Sequence, residues 1–201
     1  MSIWKRLFGS RLTSGNLDLE PNPNLSDEQI LHEYFSVKPE MKRSLRDFVQ
    51  MICKGLSEKE TKRLTSSVTR ALSPGISATE ALSEGLTGEG GQRRGNWVAI
   101  VIDWKAVEEV SWQANELLHV LNIPDEWSNP TPSGSGAAIT HLHAFGVWLS
   151  ARSHQLLHID TEGDSYMAVA LPDGSLQQAI ELASSAGIKV RCNASFLSEE
   201  T

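Results

Sequence analysis

NWVAIVIDWKAVEEVSWQANELLHVL, residues 96–121, holds two hydrophobic periods in succession. An apolar run from Trp97 to Ile102 stops at Asp103, and Val107, Val110, Ala114, Leu117, Leu118 and Leu121 follow at three- and four-residue spacing. A change of period within so few positions predicts a buried strand feeding a helix that packs back on its sheet.

The segments beyond it extend that pattern. Ile123 to Gly136 is rich in Pro, Ser and Gly and reads as a loop. Ala137 to Arg152 reads as a helix with Ile139, Leu142, Phe145, Val147, Trp148 and Leu149 apolar. Gln155 to Asp160 and Ser165 to Leu171 are short apolar runs around Thr161-Glu162-Gly163-Asp164, a hairpin signal. Pro172-Asp173-Gly174 is a turn, Leu176 to Ala183 a helix, and Gly187 its stop. Ile188, Val190 and Cys192 alternate with Lys189 and Arg191, as on an edge strand. The order βα(α)ββαβ predicts an α+β fold, a ferredoxin-like sandwich with an inserted helix, over residues 97–195 and followed by a tail at 196–201. Strands 97–103 and 165–171 would then be central, with 154–160 and 188–193 at the edges.

Upstream, residues 1–25 read as an N-terminal segment and linker. Ile3, Trp4, Leu7 and Phe8 share one side of a short helix flanked by Lys5, Arg6 and Arg11. It is expected to dock or fray, with weak peripheral contact to an anionic membrane as the alternative. Residues 26–86 read as a helical region: Ser26 with Gln29 precedes Ile30, Leu31, Tyr34 and Phe35, and Met41, Leu45, Phe48, Val49 and Ile52 form a stripe. Ser57 with Glu60, and Ser77 with Glu80, are capping boxes opening two more helices. Residues 87–96 read as a Gly-rich linker without the spacing of a phosphate loop.

Composition narrows the function classes. No apolar run nears the roughly 18 residues a membrane span needs, and Met1 to Gly9 lacks the apolar core of a secretory signal. Cys53 and Cys192 lie far apart and outside any CxxC pair, which points to free thiols in the cytoplasm. Residues 1–96 hold 14 Lys+Arg against 12 Asp+Glu, and residues 97–201 hold 4 against 13, so the net charge of −7 falls on the C-terminal part. That acidity argues against nucleic acid and suits a basic protein partner.

Ile102-Asp103-Trp104-Lys105, Trp112-Gln113, Trp127, Trp148-Leu149 and RSHQLLHIDTEGDSY (152–166) together resemble an uncharacterised bacterial family, a domain of unknown function, over about residues 97–195. The resemblance implies a bacterial cytoplasmic α/β-type protein. It implies no activity and no site residues.

The candidate residues fall into three groups. Asp103, Trp104, Glu108, Glu109, Trp112, Glu116, Asp125, Glu126 and Trp127 put aromatic side chains among carboxylates, as on a face for a basic partner. The alternative for Trp112 and Trp127 is that helix 137–152 covers them. Asp103, at a strand end, is read first as the cap of a helix starting near Lys105. His158, Asp160 and Asp103 offer a metal site, although an edge-strand His158–Asp160 pair facing solvent is the simpler reading. His141 and His143 would diverge on a helix. Asp160, Glu162 and Asp164 lack the glycine and the terminal glutamate of a calcium loop and read as a polar turn. No catalytic residue and no cofactor are expected. The preferred expectation is a non-catalytic protein-binding module, of immunity or regulator type, with an acidic Trp-bearing face. The alternatives are a metal-assisted hydrolase using His158, Asp160 and Asp103, and a regulatory domain binding a small molecule on an open sheet face.

Overall fold

A computed structural model describes Ser26 and residues 37–128 and 137–196. The chain divides into two compact units, Met1–Ser36 and Val37–Thr201, and the fold described here is that of the second. The expected N-terminal segment and linker, the helix through Ile30–Phe35, the loop at 129–136 and the tail past Phe196 lie outside the described residues.

The elements run α1 (Pro39–Ile52), α2 (Glu58–Ala71), α3 (Ala78–Thr87), β1 (Ile100–Asp103), α4 (Glu109–Val120), α5 (Ala138–Ser150), β2 (His154–Ile159), β3 (Ser165–Pro172), α6 (Leu176–Ser185), β4 (Val190–Cys192) and α7 (Asn193–Phe196). Proline opens α1, where a missing N–H costs nothing. The box at α3 is complete: Glu80 N–H donates to Ser77 Oγ at 3.1 Å and Ser77 N–H to Glu80 Oε2 at 2.9 Å. At α2 only half forms, because the Glu60 carboxylate turns to Arg63 at 2.8 Å. α6 ends as the sequence predicts. Gly187 takes φ +80°, and Ile188 N–H reaches back to the Ala183 carbonyl at 2.8 Å.

The α+β class holds, with four antiparallel strands in the order β1-β3-β2-β4. The ferredoxin-like order does not, because β4 adds to β2 and not to β1. β2 is therefore central and β1 an edge, the reverse of the expectation. This one change moves a helix. The crossovers β1→β2 and β3→β4 each step the same way across the sheet, on strands of opposite direction. Two crossovers of one hand, as chain chirality favours, then place their helices on opposite faces. That is what is found. α4 and α5 cover the face of Ile100, Ile102, Leu156 and Ala168. α6 joins α1–α3 over Leu157, Ile159, Met167, Val169 and Leu171. No open sheet face remains for a small molecule among the described residues, and the helices of residues 39–87 share an apolar layer with the strands.

β1 escapes the usual weakness of an edge because two glutamines close it. Gln113 of α4, 1 % exposed, accepts from Val101 N–H at 2.8 Å and donates to Val101 O at 3.0 Å. Gln92 donates to Ala99 O at 2.8 Å and accepts from Ala99 N–H at 3.1 Å. Each amide mimics one residue of a neighbouring strand. Gln113→Ala strands a buried N–H and C=O, so a loss of about 2–3 kcal/mol in urea unfolding is expected, with more self-association by light scattering. An unchanged midpoint would refute the strand-mimic role.

Candidate functional site

One end of the sheet gathers the polar features. Register pairs Asp103 with Ser165, and Trp104 N–H donates to the Asp164 carbonyl at 3.1 Å. The β2–β3 loop is thereby fixed beside the end of β1. Trp104 is 48 % exposed, with the Lys105 ammonium 4.7 Å from its ring centroid. Glu162 pairs with Lys189 at 2.8 Å, which holds that ammonium above its usual pKa, and Asp160 pairs with Arg191 at 3.4 Å. Among the described residues Asp103, Glu108 and Asp164 make no ion pair. Asp103 caps no helix. Its carboxylate accepts from Lys105 N–H at 2.9 Å within a turn, and α4 begins only at Glu109. The 160–164 segment is the expected polar turn, with Glu162 at φ +55° and its N–H on Asp160 Oδ1 at 3.0 Å. The sequence places Asp164 in the polar turn and not on the acidic face, because strand register, which brings it to Trp104, leaves no local signal.

The rest of the expected acidic face has other duties. Trp112 is half-buried, edge-on to Trp97 with centroids 4.9 Å apart and covered by the Arg94 guanidinium at 3.7 Å. Glu116 holds the same segment through Gly95 N–H at 2.6 Å and Arg94 at 3.4 Å. Glu109 accepts from Gln113 at 3.0 Å. Trp127 is core, 3 % exposed, with Phe145 of α5 at 5.2 Å. Its backbone is clamped by Asn115, which accepts from Trp127 N–H at 2.8 Å and donates to its carbonyl at 3.0 Å. The covering helix, not a partner, therefore takes Trp127. Asp125 is exposed and paired with Arg152 at 2.8 Å, which itself lies 3.5 Å over Trp148, and Glu126 is exposed.

His158 is not a solvent-facing edge residue. It sits in central β2 at 2 % exposure, stacked 3.5 Å from Phe196 of α7. Asn193 Nδ2 donates to the His143 carbonyl at 3.2 Å, so its Oδ1 faces His158 Nε2 at 2.9 Å. That assigns the proton to Nε2 and leaves Nδ1 a bare, buried acceptor without a partner. Burial pulls the ring's pKa down from 6.5 to about 4; the Asn193 hydrogen bond opposes this, and His143 nearby adds to it. Gly146 makes the arrangement fit, since a Cβ there would overlap the Asn193 amide. A cavity of about 60 Å³ opens beside the ring, lined by Asp160, Ser165, Tyr166 and Arg191 among others.

The metal trio does not converge. Ile100 and Ile102 face the α4–α5 side with His158, so alternation turns Asp103 to the other face. Among the described residues no three His, Cys, Asp or Glu side chains are grouped to hold an ion. His141 is fully buried. Among them, too, no helix is long and apolar enough to cross a membrane.

These features define the class: an α+β protein whose antiparallel sheet is sheathed by helices on both faces, with an exposed tryptophan among carboxylates at one end. The chain belongs to the family of the domain of unknown function DUF6630, which matches residues 46–193. The match reaches back through α3 and α2 into α1, beyond the start of the 97–195 span of the resemblance. Comparisons with curated proteins and with solved structures find no match.

Proposed function

We propose that the chain is a non-catalytic protein-binding module, of immunity or regulator type, in the bacterial cytoplasm, and that its partner is basic. The observation that carries this reading is Trp104, a large aromatic side chain half in solvent that follows Asp103 and is tied through its N–H to the Asp164 carbonyl; among the described residues neither these two carboxylates nor the exposed Glu108 forms an ion pair. A rigid ring inside an acidic rim is the pattern of an interface anchor, and the surrounding charge would steer a basic partner to it. The two unpaired cysteines fit a reducing compartment. Glu126 and Asp125 stand on the same acidic segment of the chain as secondary contributors.

The test is recovery of partners by tagged full-length protein at low and high salt, in parallel with Trp104→Ala and with Asp103→Lys/Asp164→Lys. A basic protein held by the parent chain should be lost from Trp104→Ala, an effect of about 2 kcal/mol or more if Trp104 is the anchor. The charge reversals should mainly slow association. Equal recovery on all three proteins would refute the assignment of the face.

A further inference from the structure

The opposite end of the sheet holds a larger cavity, and its origin is a mismatch of strand lengths. β3 runs to Pro172, whereas β1 pairs no further than Ile100 with Ala168. Residues 169–172 thus outrun β1, and the C-terminal ends of α1 and α4 close the space beside them. Their backbones meet where Gly55 abuts the Val120 carbonyl. What stays open is about 170 Å³, walled by Met51, Ile52, Leu121 and Leu171. An apolar cavity of roughly 150 Å³ is enough to take up benzene.

The rim decides what head group such a body carries. Among the described residues Lys54 is the single formally charged side chain in the lining, and no carboxylate lines it. His154 Nδ1 donates to the Arg152 carbonyl at 2.8 Å, so Nε2 of the neutral ring is an acceptor and adds no donor to the rim. Ser175 stands before α6 without capping it, at the end of a 3-10 turn over Asp173–Ser175 whose Asp173 carbonyl accepts from Leu176 N–H. Several carbonyls at the two helix C-termini are already engaged. Leu117, Leu118 and His119 accept from Leu121, Ile123 and Asn122, and Met51 and Cys53 accept from Lys54 and Leu56. The rim therefore presents the Lys54 ammonium above largely apolar walls.

The geometry points to a binding site here for a small monocarboxylate with an apolar body about the size of a six-membered ring, its carboxylate at Lys54. The site lies apart from the Trp104 face and stands independently of the protein-binding reading. Four probes test it on the full-length chain by amide chemical-shift titration: benzoate, 4-methylpentanoate, neutral benzamide and cationic benzylamine. Saturable shifts are expected at residues 52–55, 120–122 and 170–175, with benzoate bound about tenfold more tightly than benzamide. Lys54→Gln should remove that tenfold preference and leave benzamide binding unchanged, and Lys54→Arg should restore it. Lys54 is exposed, so neither variant endangers the fold. Benzylamine binding as tightly as benzoate, shifts centred elsewhere, or no saturable shift with any probe would each overturn the assignment.

Discussion

Gly55→Ala is expected to destabilise the protein by about 3 kcal/mol or more, the upper range for forcing extra volume into a packed site. The added Cβ would overlap the Val120 carbonyl oxygen and come within 2.9 Å of that carbonyl carbon and of Val120 Cγ1. The obstacle is mostly backbone at the end of α4, so rotating a side chain cannot relieve it. One of two helix ends must withdraw. Because α1 belongs to one apolar layer and α4 to the other, the strain reaches both faces of the sheet. Gly174→Ala is the control: nothing lies within 4 Å of its added carbon, and a change within roughly 0.5 kcal/mol is expected there. Urea unfolding followed by tryptophan fluorescence measures both. A Gly55→Ala loss below about 1 kcal/mol would show that the two helices yield at little cost.

Acid should begin to destabilise this protein through His158 at a pH above the range where carboxylates titrate. Its folded-state pKa, about 4, lies below the ordinary 6.5, so the unfolded chain binds a proton that the folded chain refuses. The stabilisation this represents is fully present above pH 6.5 and is lost as pH falls toward 4. The difference between 6.5 and 4, at about 1.4 kcal/mol per unit, gives a total of about 3–4 kcal/mol. His158→Gln, which keeps a donor for Asn193 and removes the titrating group, should flatten stability between pH 6.5 and 4.5. Parent and variant curves of equal slope would place the acid sensitivity elsewhere. α7 should loosen first, since Asn193 and Phe196 both rest on this ring.

Local chemistry was legible in the sequence, and long-range geometry was not. The Ser77–Glu80 box, the stripe of α1 and the Gly187 stop follow from neighbours within a turn or two, and each stands where the spacing puts it. Sheet order follows from which distant strand is adjacent, and hydrophobic period does not report that. The run from Trp97 to Ile102 reads as central because it is apolar on both faces. It is apolar because helices cover both faces, while its free side is closed by side chains of Gln92 and Gln113 that read as surface polar residues. His158 failed in the opposite sense: a polar residue suggested solvent, and only Asn193 and Phe196, more than thirty positions away, make its burial tolerable. Trp127 follows Asp125 and Glu126 and looks like loop, yet the Asn115 clamp and Phe145 draw it inside. At the acidic end, Asp103 and Trp104 were legible as a pair. Their companion Asp164 needed the strand register.

Gln92 gives the glycine-rich stretch between α3 and β1 a second meaning. WVAIVI, residues 97–102, is a six-residue apolar window without charge, proline or glycine, the composition of segments that stack into fibrils. In the intact molecule an amide from residue 92 occupies the position that an incoming strand would take. A protease cut between Gly88 and Asn96 would leave every strand in place and untether that amide. The nicked chain would then offer the Ala99 backbone to a second copy while Gln113 still covers Val101, so the tether of Gln92 guards half of that edge against amyloid growth.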